Sequence, residues 1–196
     1  MKVLTFSTTF PKGHPRIGQP TYFIEQILNS ILPRGENGII NRDDIAPEIL
    51  PFINDFVLLD GQLQKHHTIR AGSRWKAGDM ASLRIWSGKP YQSKQIEFAQ
   101  VEVKRVWSIE INNRFGAASF EVVINGTIYG QLHFGNDKDQ NEAGLITLAK
   151  NDGLELQDFV DWFEIHPKKK EAVFKGQVIC WATKISYDAG KENRDL

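Results

Sequence analysis

Cysteine is nearly absent: Cys180 is the only one in 196 residues. That excludes an internal disulfide and a four-cysteine zinc site, and it fits a reducing compartment. Net charge is missing too, because 24 Lys and Arg balance 24 Asp and Glu. A neutral molecule exerts no long-range pull on polyanions, so any contact with nucleic acid has to be local. Long apolar runs are also lacking. No stretch approaches membrane-spanning length, and the opening MKVLTFSTTFPKGHP has no extended apolar segment of the export-signal type. The expectation is a cytoplasmic protein that does not enter a membrane. Internal repeats and low-complexity segments are not seen.

What is present supports a core. A hydrophobic content of 41% suffices for one sizeable core with an elaboration, rather than for two full domains. KVLTFS reads as a short strand. TYFIEQILNSIL then spaces Phe23, Ile24, Ile27, Leu28 and Ile31 for an amphipathic helix, with Thr21 as its cap. Asp43 and Asp44 open a shorter, proline-interrupted helical stretch. From about Phe56 the pattern turns to strands. SLRIW and the run SKQIEFAQVEVKRVWSIEI alternate apolar and polar residues, with Ile96, Phe98, Val101 or Val103 and Trp107 inward. FEVVINGTIYGQLHF is a hairpin whose Asn125 and Gly126 suit a type I′ turn. Ala143 to Phe163 reads as helix broken at KNDG, with Leu156, Phe159, Val160 and Phe163 on one face. VFKGQVICWATKISY supplies a last long strand, and KENRDL a polar tail.

These readings add up to an α+β chain dominated by antiparallel strands, expected as a small barrel with helices at its ends and an N-terminal extension. Residues 1–57 form the extension, 58–187 the main domain and 188–196 the tail.

The segment from Lys65 to Gln95, KHHTIRAGSRWKAGDMASLRIWSGKPYQSKQ, concentrates cations, hydroxyls, two histidines and two tryptophans between Gly72, Gly78 and Gly88. Chain reversals of this kind gather side chains from different segments around one concavity. Adjacent His66 and His67 point to opposite faces of an extended segment and have no HExxH or Cys–His partner pattern, so no metal is expected there. Trp107, Trp162 and Trp181 are assigned to the core, and Cys180 to a buried, inert position. The basic run from His166 to Glu171 reads as a solvated helix end.

The order K-x-x-T-x-R at Lys65, Thr68 and Arg70, the GD of Gly78 and Asp79 leading into a strand, and LAKNDGLELQDFVDWF together resemble the ASCH family. Its fold is similar to the PUA domain, a compact β-barrel with flanking helices. The likeness covers about Leu58 to Tyr187. It implies either RNA binding or, from one bacterial branch similar in the K-x-x-T-x-R spacing, hydrolysis of the amide of N4-acetylcytidine. In that branch a lysine, a threonine and a glutamate carry the chemistry. The resemblance lays Lys65 and Thr68 on the first two positions and Asp152, one methylene shorter, near the third. Leu63 stands where the broader pattern has glycine.

Under that likeness Thr68 attacks or positions water, and Lys65 acts either as a base with a lowered pKa or, charged, as an oxyanion stabiliser. Asp152 orients the lysine or accepts a proton. Binding alone asks less: a cytosine-like base stacks on Trp75 or Trp86 while Arg70, Arg74 or Lys94 meets phosphate or a ring carbonyl. Neither job calls for a cofactor. The expected ligand is RNA or a nucleoside, with N4-acylcytidine hydrolysis as the alternative. A protein-interaction module with a relict pocket is the third reading.

Overall fold

The computed structural model describes residues 1–34, 40–54, 64–114, 119–133, 142–163 and 171–188. In chain order the elements are β1 Lys2–Thr5, α1 Phe23–Ile31, β2 His67–Ala71, β3 Met80–Trp86, β4 Gln95–Glu102, β5 Arg105–Arg114, β6 Ser119–Ile124, β7 Thr127–His133, α2 Glu142–Asn151, α3 Leu156–Phe163 and β8 Glu171–Cys180. Two 3₁₀ turns, Arg42–Asp44 and Pro47–Phe52, lie between α1 and β2. The chain is thus mixed α+β with two sheets. It folds as two compact units, Met1–His66 with Ala77–Val103 and His67–Lys76 with Lys104–Leu196. The expected boundary at residue 57, Leu63, the basic run at His166–Lys170 and the tail beyond Asp188 lie outside the described residues.

The first unit holds the three-stranded sheet, order β1-β3-β4. Strand β1 runs parallel to β3, pairing Lys2 with Ala81 through Thr5 with Arg84. Sequence reading placed β3 in the main domain and β1 in the extension, yet they are neighbours. Parallel partners need a long crossover, and local patterning carries no sign of which distant strand will close it. Helix α1 buries Phe23, Ile24, Ile27 and Leu28 as its spacing requires, and Glu25, Gln26 and Asn29 as well. Its expected cap is corrected. Tyr22, in the left-handed region at φ 56°, precedes the helix without a side-chain cap bond. The Thr21 hydroxyl instead donates to the Ser7 carbonyl at 2.7 Å, tying the helix entry to the chain after β1.

The second unit holds a five-stranded antiparallel sheet, order β2-β8-β5-β6-β7. The long alternating run that read as continuous strand divides: β4 ends at Glu102 in one sheet and β5 begins at Arg105 in the other. The expected hairpin is β6–β7, with Asn125 and Gly126 at φ 50° and 81°. Helix α2 lies close against β7, because a Cβ at Gly144 would overlap the Tyr129 carbonyl oxygen. Likewise Gly176 of β8 leaves room for the Arg70 carbonyl of β2. Each glycine lets an element that carries a candidate residue approach its neighbour's backbone.

Candidate functional site

Strand β2 sits at the edge of the five-stranded sheet, and its pleat decides which candidates share a face. Thr68 and Arg70 point one way, His67 and Ile69 the other. Register places His67 beside Cys180 and Arg70 beside Gln177.

Asp152 is held at the end of α2 by local geometry. Its own N–H donates to the Leu148 and Ala149 carbonyls at 3.0 and 2.9 Å. Gly153 then reverses the chain at φ 76°, and the Leu154 N–H returns to Ala149 at 3.0 Å. This is the glycine-terminated helix end that NDG encodes. The turn brings the Asp152 carboxylate to the second unit's sheet, where Oδ1 lies 3.4 Å from His67 Nδ1. His67 is wholly buried.

Around this pair stands an aromatic cluster centred on Tyr187. Its ring centroid is 5.5 Å from His67, 5.0 Å from Trp107 and 5.3 Å from Tyr129, all in edge-on contact. Asn151 Nδ2 donates to the Tyr187 hydroxyl at 2.9 Å. Burial drives the Tyr187 pKa well above the ordinary phenol value. The Asn151 hydrogen bond opposes that shift, and Tyr129, Cys180 and Asp152 add to it. Trp107 Nε1 donates to Asp188 at 3.0 Å, closing the cluster on the far side. His67, Asn151, Tyr129 and Tyr187 were not picked out from sequence as site residues. The dipeptide ND, with Asn beside the singled-out Asp, was the available signal for Asn151. The others become neighbours only through sheet register.

Arg70 is half-buried. Burial lowers its pKa from the ordinary guanidinium value, and the negative charge of Asp152 raises it in opposition. Beside it on the same face, Gln177 clamps the Trp75 backbone: Oε1 accepts the Trp75 N–H at 3.0 Å and Nε2 donates to the Trp75 carbonyl at 3.1 Å. Trp75 is 3% exposed, and the Arg74 guanidinium lies 5.5 Å from its ring centroid. The ring is therefore packed against protein rather than open for a base to stack on. Trp107 and Trp181 are buried as expected, while Trp162 is half-buried. Cys180 is buried too, and desolvation pushes its thiol up to about 11, although the Ala182 carbonyl contact and Arg105 pull the other way.

The remaining candidates lie in the first unit. Lys65 is 1% exposed, with its ammonium 4.3 Å from the Phe23 ring centroid and its backbone N–H donating to Gln26 at 3.0 Å. A buried ammonium is tolerated only with compensation, and the negative face of an aromatic ring supplies part of it. Glu25, also buried, accepts the Asn54 N–H at 2.7 Å. Trp86 is half-buried and Lys94 exposed, at the tip of the β3–β4 hairpin. The structure thus brings Thr68, Arg70, Arg74, Trp75 and Asp152 into one unit and places Lys65, Trp86 and Lys94 in the other.

Among the described residues, no three His, Cys, Asp or Glu side chains form a group able to hold a metal ion. No helix among them is long and apolar enough to cross a membrane. Comparison with known proteins found no family model, curated protein or solved structure that matches the chain.

Proposed function

We propose that this chain binds RNA or a nucleoside as a PUA-like, ASCH-type protein, and that the ligand is taken at the β2 edge around Thr68 and Arg70. Arg70 carries the reading. A fork of N–H donors on a half-buried side chain, with the negative charge of Asp152 favouring its cation, suits a ring carbonyl or a phosphate oxygen better than a solvated lysine would. Thr68 shares that face but is itself buried, so it backs Arg70 rather than standing open to solvent. Trp75, locked by Gln177, holds the segment that carries Arg74. The barrel of the PUA-like fold belongs to this proposal, and the five-stranded antiparallel sheet supports it. Lys65 enters through the family resemblance. Labelled RNA titrated at two salt concentrations tests binding: affinity should fall as salt rises. No affinity even at low salt would turn the reading toward a protein-interaction module.

One observation favours a second reading, hydrolysis of an N4-acylated cytidine. The buried His67–Asp152 pair sets a nitrogen base against a carboxylate in the unit that holds Thr68. Because Thr68 leaves β2 on the opposite face from His67, this pair would act on substrate or water rather than on the Thr68 hydroxyl. Incubation with N4-acetylcytidine, comparing wild type with Lys65→Ala, Thr68→Ala and Asp152→Asn, tests it. Absence of cytidine and acetate above blank rejects that substrate.

A further inference from the structure

The β3–β4 hairpin of the first unit ends in a tip that the site above does not use. Ser87 N–H donates to the Lys94 carbonyl at 2.9 Å, closing the tip across its base. Inside it, the Lys89 carbonyl accepts the Gln92 N–H at 3.1 Å, the Ser93 N–H at 3.1 Å and the Ser93 hydroxyl at 3.0 Å. This network holds Tyr91 in the left-handed region at φ 63°, a conformation rare for a bulky side chain. Strain of that kind persists only where the surroundings impose it, and it is an observed outlier that calls for a role.

The strained residue is also the most exposed large apolar side chain among those described, at 89%. Its ring leans over Trp86, with centroids 5.3 Å apart and planes at 52°. A core contact would hide both rings, but here the tyrosine stands in water with the half-buried tryptophan beneath it. The charge around them is one-sided. No Asp or Glu occurs from Met80 to Ile96, while Arg84, Lys89 and Lys94 do. Arg84 is turned toward Glu97, at 3.7 Å, and Ser82. Lys89 and Lys94 are exposed on either side of the tyrosine. In a chain of zero net charge this stretch carries cations and no carboxylate, with an exposed aromatic ring between two exposed lysines in the sequence.

We infer that this tip is a stacking platform for single-stranded nucleic acid: a base lies on Tyr91, backed by Trp86, and Lys89 and Lys94 meet the flanking phosphates. Stacking tolerates any base, because every base has a π-face, so the platform holds strand without reading sequence. The inference shares its ligand class with the proposed function but lies in a different unit, and of its residues Trp86 and Lys94 were expected from sequence as nucleic-acid contacts while Tyr91 and Lys89 were not.

Fluorescence anisotropy with a labelled ten-nucleotide uridine RNA, and with an abasic oligomer of the same length and charge, tests it on the full chain. Tyr91 is exposed, so Tyr91→Ala leaves folding intact, and circular dichroism checks this. Tyr91→Ala should weaken RNA binding by about 5- to 150-fold, the range for loss of one stacked base. Tyr91→Phe should stay within about 2-fold of wild type, since the ring is retained. The abasic oligomer should bind wild type and Tyr91→Ala alike. Lys89→Gln with Lys94→Gln should flatten the salt dependence by about 1.4 in log–log slope, from about 0.7 per phosphate on a single strand.

Failure here separates cleanly from failure of the proposed function. If Arg70→Met abolishes cytidine binding while RNA affinity ignores Tyr91, the platform is wrong and the β2 site stands. If cytidine does not bind but RNA affinity depends on the Tyr91 ring, the reverse holds. An equal loss of abasic and uridine binding in Tyr91→Ala, or no RNA binding by wild type, overturns the platform.

Discussion

His67 Nδ1 and Asp152 Oδ1 face each other at 3.4 Å, joining an edge strand to the end of a helix 85 residues further along the chain. The imidazole is fully buried and the carboxylate nearly so. A buried carboxylate needs compensation, and the imidazole facing it supplies part of that.

Asp152→Asn keeps the shape and removes the charge. Urea denaturation should show a loss of about 1–3 kcal/mol, the range for a disturbed buried polar contact. Asp152→Ala should cost more than Asp152→Asn, because it removes the polar group facing the imidazole altogether. Equal stability of wild type and both variants would show that the contact contributes nothing.

Alkaline pH should weaken the fold through Cys180. Its folded pKa, about 11, lies above the ordinary value of 9.0 because burial disfavours the thiolate. A raised folded pKa means that this stability is fully present below pH 9 and is lost as pH climbs from 9 to 11, where the unfolded chain ionises first. The loss amounts to about 2–3 kcal/mol at pH 11. Tyr187 and Tyr129, also raised by burial, act in the same direction at higher pH. Denaturation midpoints between pH 8 and 11 should fall for wild type and fall less for Cys180→Ala. The native thiol should also resist alkylation at pH 8 and react once the chain is unfolded.

Gly144 and Gly176 position the two sides of the site. Gly144→Ala drives a methyl into the Tyr129 carbonyl and pushes α2, with Asn151 and Asp152 at its end, away from β7. Gly176→Ala does the same to Arg70 on β2. Each should cost at least about 1–3 kcal/mol, as overpacking does. Each should also weaken cytidine binding by more than Gly72→Ala, where a Cβ meets open space and only the positive φ is strained.

Gln177 should matter beyond its place in the sheet. Its paired hydrogen bonds to Trp75 fix the turn after β2 that carries Arg74. Gln177→Leu removes both and should cost about 1–3 kcal/mol, with faster hydrogen exchange at the Trp75 amide. Unchanged exchange would place the rigidity of this turn elsewhere.

Much of this architecture was readable in the residues. The three-and-four spacing of Phe23 to Leu28, the Asn125–Gly126 turn and the NDG break between α2 and α3 each encode their structure locally, and each appears where expected. What escaped is non-local. Nothing in KVLT announces a parallel partner at Ala81 to Arg84, and VEVKRV contains no strong breaker to show that the chain leaves one sheet for another between Glu102 and Arg105. Thr21 looked like a helix cap by type and position, yet a nearer acceptor, the Ser7 carbonyl, takes its hydroxyl. For the site, the family resemblance singled out Thr68, Arg70 and Asp152, but only register shows which face of β2 Thr68 and Arg70 occupy. His67 was weighed only as a metal ligand, because its partner lies on a distant turn. Trp75 looked like a platform from composition and is packed against protein instead, whereas Tyr91, unremarked in sequence, is the most exposed aromatic ring among the described residues.

Calorimetric titration of cytidine into wild type, Arg70→Met and Thr68→Ala tests the central claim most directly. The account predicts saturable binding by wild type, a loss of at least about 10-fold in Arg70→Met from a charge-assisted hydrogen bond worth about 1.5–3 kcal/mol, and a smaller loss in Thr68→Ala. Cytidine bound equally well by all three proteins would contradict it.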